Sequence, residues 1–162
     1  MCKKPKSIDD NGTPIDDNEL LLRLLCSPQY YDEETGIVNV DAFDLRKLRK
    51  GALEDYVSVN IKQRLEEENK FEDFYKKGFK LNWPIHEPQN VYYGVGEFLC
   101  KDARDVHSMV EINPLKGPDK SHVGLFYKKS DVEYYKGPLP KDNPEILELL
   151  NDLASLVHIL KM

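Results

Sequence analysis

VHSMVEINPLKGPDKSHVGLFYK, running from Val106 to Lys128, carries the clearest β pattern in the chain. In its first half Val106, Ser108, Val110 and Ile112 share one parity, and His107, Met109 and Glu111 the other. In its second half His122, Gly124 and Phe126 alternate with Val123, Leu125 and Tyr127. A period of two is what a half-buried strand requires. Between the halves, NPLKGPDK holds two prolines and a glycine, which favour a formed turn. The expectation is an antiparallel hairpin with a histidine early in each strand. One register sets His107 opposite His122, although a one-residue slip would move either to the other face.

Outward from the hairpin, the other elements fall into an α+β pattern. Upstream, Asp17 or Asn18 caps a short helix over ELLLRLL, closed by Ser27-Pro28, with Arg23 snorkelling from its edge. Ile37, Val38 and Val40 suggest a short strand, and Leu53 to Asn60 another. Asn60 then caps a long helix from Ile61 to Lys77, with Gly78 after it. Val91 to Val95 reads as a strand, followed by a helix or turn from Glu97 to Arg104. Downstream of the hairpin, Asn143-Pro144-Glu145 is a strong helix start. The apolar residues that follow, through residue 162, are spread wider than one stripe. The predicted fold is α+β: a mostly antiparallel sheet of about four or five strands packed against two longer helices. Residues 1–17 read as a mobile leader, broken by Pro5, Gly12 and Pro14, and residues 18–162 as a single domain.

Composition narrows the class. The chain has 162 residues, 40% hydrophobic and 32% charged, a soluble globular balance. No apolar run approaches the ~20 residues of a transmembrane helix. A net charge of −6 disfavours broad nucleic-acid binding, which needs clustered Lys and Arg. The exception is LRKLRKG, Leu45 to Gly51, read as a solvated segment or, more sharply, as a small-anion contact. Cys2, Cys26 and Cys100 have neither disulfide nor zinc spacing, which fits a reducing cytoplasm. Gly94-x-Gly96 lacks the third glycine of a dinucleotide loop.

No catalytic motif stands out, and whether the chain is an enzyme is left open. Any pocket is expected where Arg23, Tyr56, Ser58, His107 and His122 could converge. Two histidines make half a metal site at most, so no metal is expected. No cofactor is indicated by the residues themselves. The wide apolar terminal segment suggests a protein-interaction or oligomerising module, with a protein partner or a second copy bound through helix 144–162.

Three stretches taken together carry a resemblance. LLLRLLCSPQYYDEETGIVNVDAF (20–43), the YVSVN strand (56–60) and SHVGLFYK (121–128), followed by an apolar terminal helix, resemble an uncharacterised family of short bacterial proteins. The resemblance implies a bacterial, intracellular, single-domain protein and carries no functional residue with it. A second likeness concerns order alone. Arg23, Ser58 and Glu111 occur in the order used by ADP-ribosyltransferases, which hold NAD with an arginine and stabilise an oxocarbenium-like state with a glutamate. Met109 stands where those enzymes carry a second acidic residue. This likeness implies an NAD-using enzyme as the alternative to an interaction module.

Overall fold

The computed structural model describes residues 4–160. Its frame is one antiparallel sheet of six strands. These are β1 (Leu20–Ser27), β4 (Val57–Ile61), β5 (Val91–Leu99), β6 (Val110–Pro114), β7 (His122–Tyr127) and β8 (His158–Leu160). Across the sheet they run β6-β7-β4-β1-β5-β8. A separate two-stranded ribbon joins β2 (Tyr31–Asp32) to β3 (Ile37–Val38). The helices are α1 (Lys62–Glu67), α2 (Phe71–Lys77), α3 (Cys100–Val106) and α4 (Pro144–Ser155).

The central strand is the segment that sequence patterning assigned to a helix. LLLRLLCS forms β1 because both of its faces are covered. Leu21 and Leu25 enter the core under α4, and Leu22 and Leu24 enter a second core with Leu65 and Phe74 of α1 and α2. A strand buried on both faces reads as a continuous apolar run, which periodicity cannot separate from a buried helix. Leucine has high helix propensity, and tertiary burial overrides it here.

The hairpin is present, with a later start. β6 begins at Val110 and pairs with β7 in the register Val110↔Tyr127 and Ile112↔Leu125. The expected parity of β7 holds: Val123, Leu125 and Tyr127 lie in the main core, and Phe126 packs on the opposite side with Ile8, Leu115 and Tyr134. His107 is not in a strand. It follows α3, which runs to Val106 and buries Cys100 and Ala103.

Two expected helices are shorter than their patterns. The segment from Ile61 to Lys77 breaks into α1 and α2 at Asn69, whose φ is 55°. Asparagine tolerates this left-handed conformation better than most residues. The Lys70 amide donates to the Leu65 carbonyl, so the broken turn keeps a hydrogen bond. At the other end α4 stops at Ser155, and β8 adds an edge strand against Val95, Gly96 and Glu97. Its start follows expectation: Asn143 Oδ1 accepts the Glu145 amide at 3.0 Å, with Pro144 at the first helical position.

The breadth of apolar residues in 144–160 therefore has an internal cause. Ile146, Leu149, Leu150 and Leu153 are buried under the sheet, while Val157 and Ile159 pack as part of a strand-bearing tail. A helix followed by a strand needs two unrelated apolar patterns, which together mimic a helix with two greasy faces. Residues 161 and 162 lie outside the described residues.

The stretch expected to be a mobile leader lies along the hairpin loop from residue 4 onward; residues 1–3 are not described. Ile8 and Ile15 are buried, and Ile8 bridges to Leu115. The Asp9 amide donates to the Pro114 carbonyl at 2.9 Å, and the Lys116 amide to the Ser7 carbonyl at 2.9 Å. The prolines and glycine break local periodicity, and contact with a distant loop replaces it. No helix among the described residues is long and apolar enough to cross a membrane.

Candidate functional site

β1 and β4 pair for only two positions, Leu21↔Ile61 and Leu22↔Asn60, and then diverge. The Arg23 side chain occupies the gap. Its Nε donates to the Ala42 carbonyl at 3.0 Å, and one terminal nitrogen to the Ser58 carbonyl at 3.2 Å. The guanidinium lies 5.2 Å from the centre of the Tyr30 ring, within cation–π range. Arg23 thus takes over a backbone acceptor that a continued ladder would have satisfied. No carboxylate lies within salt-bridge distance of it among the described residues.

A cleft opens at this gap. Its inner lobe, about 140 Å³, is walled by Arg23, Tyr30, Arg46, Ser58, Lys77 and Trp83, among others. An outer lobe of about 640 Å³ shares Tyr30, Arg46, Asn82 and Trp83 with it. That outer volume lies in the ordinary range of small-molecule pockets, about 300–1,000 Å³. Lys47, Arg49 and Lys141 line the outer lobe. The basic LRKLRKG segment therefore lines the cleft with Arg46, Lys47 and Arg49.

The aromatic wall is built by the loop after α2. Trp83 stacks on Tyr92 at 6.0 Å and meets Tyr30 edge to face at 6.0 Å. Its indole N–H donates to the Gly78 carbonyl at 3.2 Å. Asn90 ties the loop to β1's end: its side-chain amide donates to Gln29 Oε1 at 2.9 Å and to the Pro84 carbonyl at 2.7 Å. The Tyr30 ring is buried, and no protein group among the described residues hydrogen-bonds its hydroxyl. An unpaired buried hydroxyl costs roughly 1–3 kcal/mol, so its position in a ligand-sized cleft is informative. Burial raises the Tyr30 pKa above that of a free phenol, against the pull of Arg23 and Arg46.

Ser58 stands where the cleft meets the face of β7. Its hydroxyl is 2.7 Å from His122 Nε2. Asn60 directly opposes His122 in the β4–β7 ladder, and Ser58 opposes Gly124, so the imidazole reaches diagonally back. Gly124 leaves room for the aromatic rings beside this pair. A Cβ there would sit 2.7 Å from the Phe126 ring and 3.0 Å from Tyr56, whose ring stands edge-on to His122 at 6.2 Å. Behind the imidazole, Asp119 accepts the Ser121 amide at 3.0 Å and the Ser121 hydroxyl at 2.6 Å. Asn60 Nδ2 donates to that same hydroxyl at 2.9 Å.

Burial, and then the Lys77 charge, push the His122 pKa below the ordinary value near 6.5, partly opposed by Asp119. Burial works to raise the Asp119 carboxyl, but hydrogen bonds from Ser121 and the nearby His122 carry it below the usual range. A depressed histidine pKa means that the unfolded chain binds more protons in mildly acid solution. Its contribution to stability is intact above about pH 6.5 and is lost as the pH falls through the folded-state value. Urea unfolding of wild type and His122→Gln should show a drop between pH 7 and 5 that is smaller in the variant. Equal drops would sever the link to His122.

The residues singled out from sequence divide cleanly. Arg23, Tyr56, Ser58 and His122 come together. His107 does not: its Nδ1 accepts the Met109 amide at 3.0 Å, so its Nε2–H donates to Glu145 at 2.6 Å, beside the start of α4. The expected opposition of His107 and His122 fails because β6 starts three residues after His107. Glu111 lies on β6, two strands from Ser58, with Tyr56 and Phe126 on the intervening face. Its carboxylate accepts from the Tyr134 hydroxyl at 2.6 Å and from Asn113 at 2.8 Å. An Arg23–Ser58–Glu111 constellation is therefore not assembled.

Tyr30, Arg46, Lys77 and Trp83 are cleft residues that sequence patterning did not assign to a site. The signals for them were the basic run around Arg46 and the single tryptophan of the 79–90 loop, which reads more simply as an aromatic that locks its loop onto the core. Arg46 is held by Glu54 through two contacts, 3.2 Å at Nε and 3.1 Å at a terminal nitrogen. Cys26 and Cys100 are buried, and burial lifts both thiols to a pKa of about 11, which leaves them unreactive at neutral pH. No group of three or more His, Cys, Asp or Glu side chains suited to a metal occurs among the described residues. The sequence matches no family model, no curated protein and no solved structure.

Proposed function

We propose that the protein binds a small anionic molecule with a flat ring, of the nucleotide or dinucleotide class that includes NAD, in the cleft between β1, β4 and the Trp83 loop. The observation that carries this reading is the meeting of Arg23, Arg46 and Lys77 in one cavity of a chain with net charge −6. They come from three separate segments, and neither Arg23 nor Lys77 has a carboxylate partner among the described residues. Unpaired cations gathered in a concave, partly apolar site favour an anion, because each would otherwise repel the others. Phosphate suits guanidinium donors in particular. Trp83 and Tyr30 supply ring surface, and the unpaired Tyr30 hydroxyl supplies a polar group inside the same wall.

This reading is preferred to self-association through helix 144–162, because Ile146, Leu149, Leu150 and Leu153 of α4 are already covered by the protein's own sheet, which leaves Leu147 as the exposed leucine of α4. It keeps the ligand class of the NAD-enzyme alternative without its glutamate, since Glu111 belongs to a different cluster.

The test is thermal unfolding with NAD, ADP-ribose, ADP and inorganic phosphate at millimolar concentration. A ligand at a hundredfold excess over its Kd stabilises the folded state by about 2.7 kcal/mol. For a domain of this size that is a rise in Tm of several degrees, roughly 2–4 °C per kcal/mol. The shift should be lost in Lys77→Ala and reduced in Trp83→Ala, both on the cleft wall rather than in the main core. No shift with any of the four, or a shift unchanged in Lys77→Ala, would refute the assignment.

A further inference from the structure

The pairing of Ser58 with His122 goes beyond binding. Ser58 is exposed although it sits inside a sheet strand, and its neighbours Val57 and Val59 are buried. Its hydroxyl is thus presented to the cleft by a rigid backbone. The backbone is fixed from both sides: the β4–β7 ladder pairs it with Gly124, and Arg23 holds its carbonyl. A nucleophile placed on a strand and braced in this way loses little orientation when it reacts.

The imidazole is also braced. Tyr56 stands edge-on to it, and the Asp119–Ser121–Asn60 hydrogen-bond chain anchors the β7 start from which it projects. Nε2 at 2.7 Å is within the reach a general base needs. Burial and Lys77 favour the neutral ring, and in its Nδ1–H tautomer Nε2 accepts from the Ser58 hydroxyl and can take its proton.

We infer that Ser58 and His122 form a nucleophile–base dyad that acts on phosphorus in a phosphoanhydride ligand of the cleft, a role that rests on the cleft being the anion site. Ser58 Oγ attacks the phosphorus as its proton passes to His122 Nε2. The Oγ–P bond forms and the bridging P–O bond breaks, and the leaving phosphate oxygen takes the proton from the imidazolium. A water molecule, deprotonated by the same nitrogen, then cleaves the phosphoserine and restores the hydroxyl. Arg23, Arg46 and Lys77 line the same cavity and offset the charge on the transferring group.

A fluorophosphonate probe tests the dyad directly, because it reports attack at phosphorus without needing the natural ligand. Ser58 Oγ displaces fluoride, and the proton goes to His122. Intact mass after incubation with wild-type protein should show one adduct, mapped to Ser58 by peptide sequencing and absent in Ser58→Ala. His122→Gln should slow labelling by at least about a hundredfold, the lower end of general-base contributions. In wild type the rate should fall about tenfold per pH unit below the imidazole pKa, with Lys77, Asp119 and Tyr56 the groups facing that ring. No adduct, an adduct elsewhere, or a rate equal in His122→Gln and indifferent to pH would overturn the dyad. Labelling without any nucleotide shift leaves the dyad standing and removes the ligand; a nucleotide shift without labelling does the reverse.

Discussion

Asp44→Ala is expected to lower the free energy of unfolding by about 2–5 kcal/mol, because it takes the acceptor from two buried amides at roughly 1–3 kcal/mol each. The Asp44 side chain is nearly inaccessible. It accepts the amides of Leu45 at 2.8 Å and Leu139 at 2.9 Å, and it pairs with the ammonium of Lys141. One carboxylate thereby binds the chain after a 3-10 turn (Val40–Phe43) to the segment that leads into α4. Alanine would leave two buried amide donors without an acceptor, and Lys141, itself exposed, with Asp41 at 3.9 Å as its carboxylate. Asp44→Asn keeps one acceptor oxygen but no charge, and should cost less, about 1–3 kcal/mol. Urea titration measures both. A loss below 1 kcal/mol for alanine would mean that water reaches these amides freely. Since Asp44 and Lys141 also line the outer lobe, the alanine variant should weaken any ligand held there.

Phe98→Ala is expected to cost a similar amount, about 3–5 kcal/mol, for a different reason. Phe98 is 1% exposed on β5 and meets Phe43 edge to face at 5.4 Å. Truncation leaves a cavity between the sheet and the 3-10 turn, and the ring of Phe43 loses its partner. Phe98→Leu fills most of the space and should cost less than about 2 kcal/mol. The midpoint in urea should move while the slope stays fixed. If alanine and leucine behave alike, the site can collapse around the gap, and the packing described for this layer is looser than it looks.

Phe98 also shows where sequence reading reached its limit. Val91 to Val95 was legible as a strand, but β5 continues to Leu99 through GVGEFL, where two glycines and a glutamate dilute the alternation. Gly96 is required by packing: a Cβ there would sit 2.5 Å from Val157 and 3.0 Å from Leu25. That contact comes from the far end of the chain and is invisible in any local window. The same limit applies to β1, where burial on two faces erased the period that would have marked a strand.

What could be read was what depends on local pattern. The parity of β7, the cap at Asn143 and the strand around Ser58 follow from neighbouring residues. The α+β class and the mostly antiparallel sheet followed from these, although six strands stand where about four or five were expected, and four short helices where two longer ones were. Arg23, Ser58 and His122 could be named as candidates by residue type. Their convergence could be named as an expectation but its geometry could not, because it depends on β4 lying between β1 and β7, an order no spacing encodes. Glu111 and His107 were candidates by the same logic and fall elsewhere for the same reason.

The short pairing of β1 with β4 has a mechanical side. Two residue pairs join the halves of the sheet, against eight between β1 and β5. The sheet is therefore two leaves, β6-β7-β4 and β1-β5-β8, with a sparsely paired seam between them. Over part of that seam the crosspiece is a guanidinium on a long side chain instead of a rigid ladder. Through the Ser58 carbonyl it ties the β1 leaf to the β4 leaf where the ladder has ended. Whatever engages Arg23 in the cleft therefore touches the group that joins the two leaves at this point.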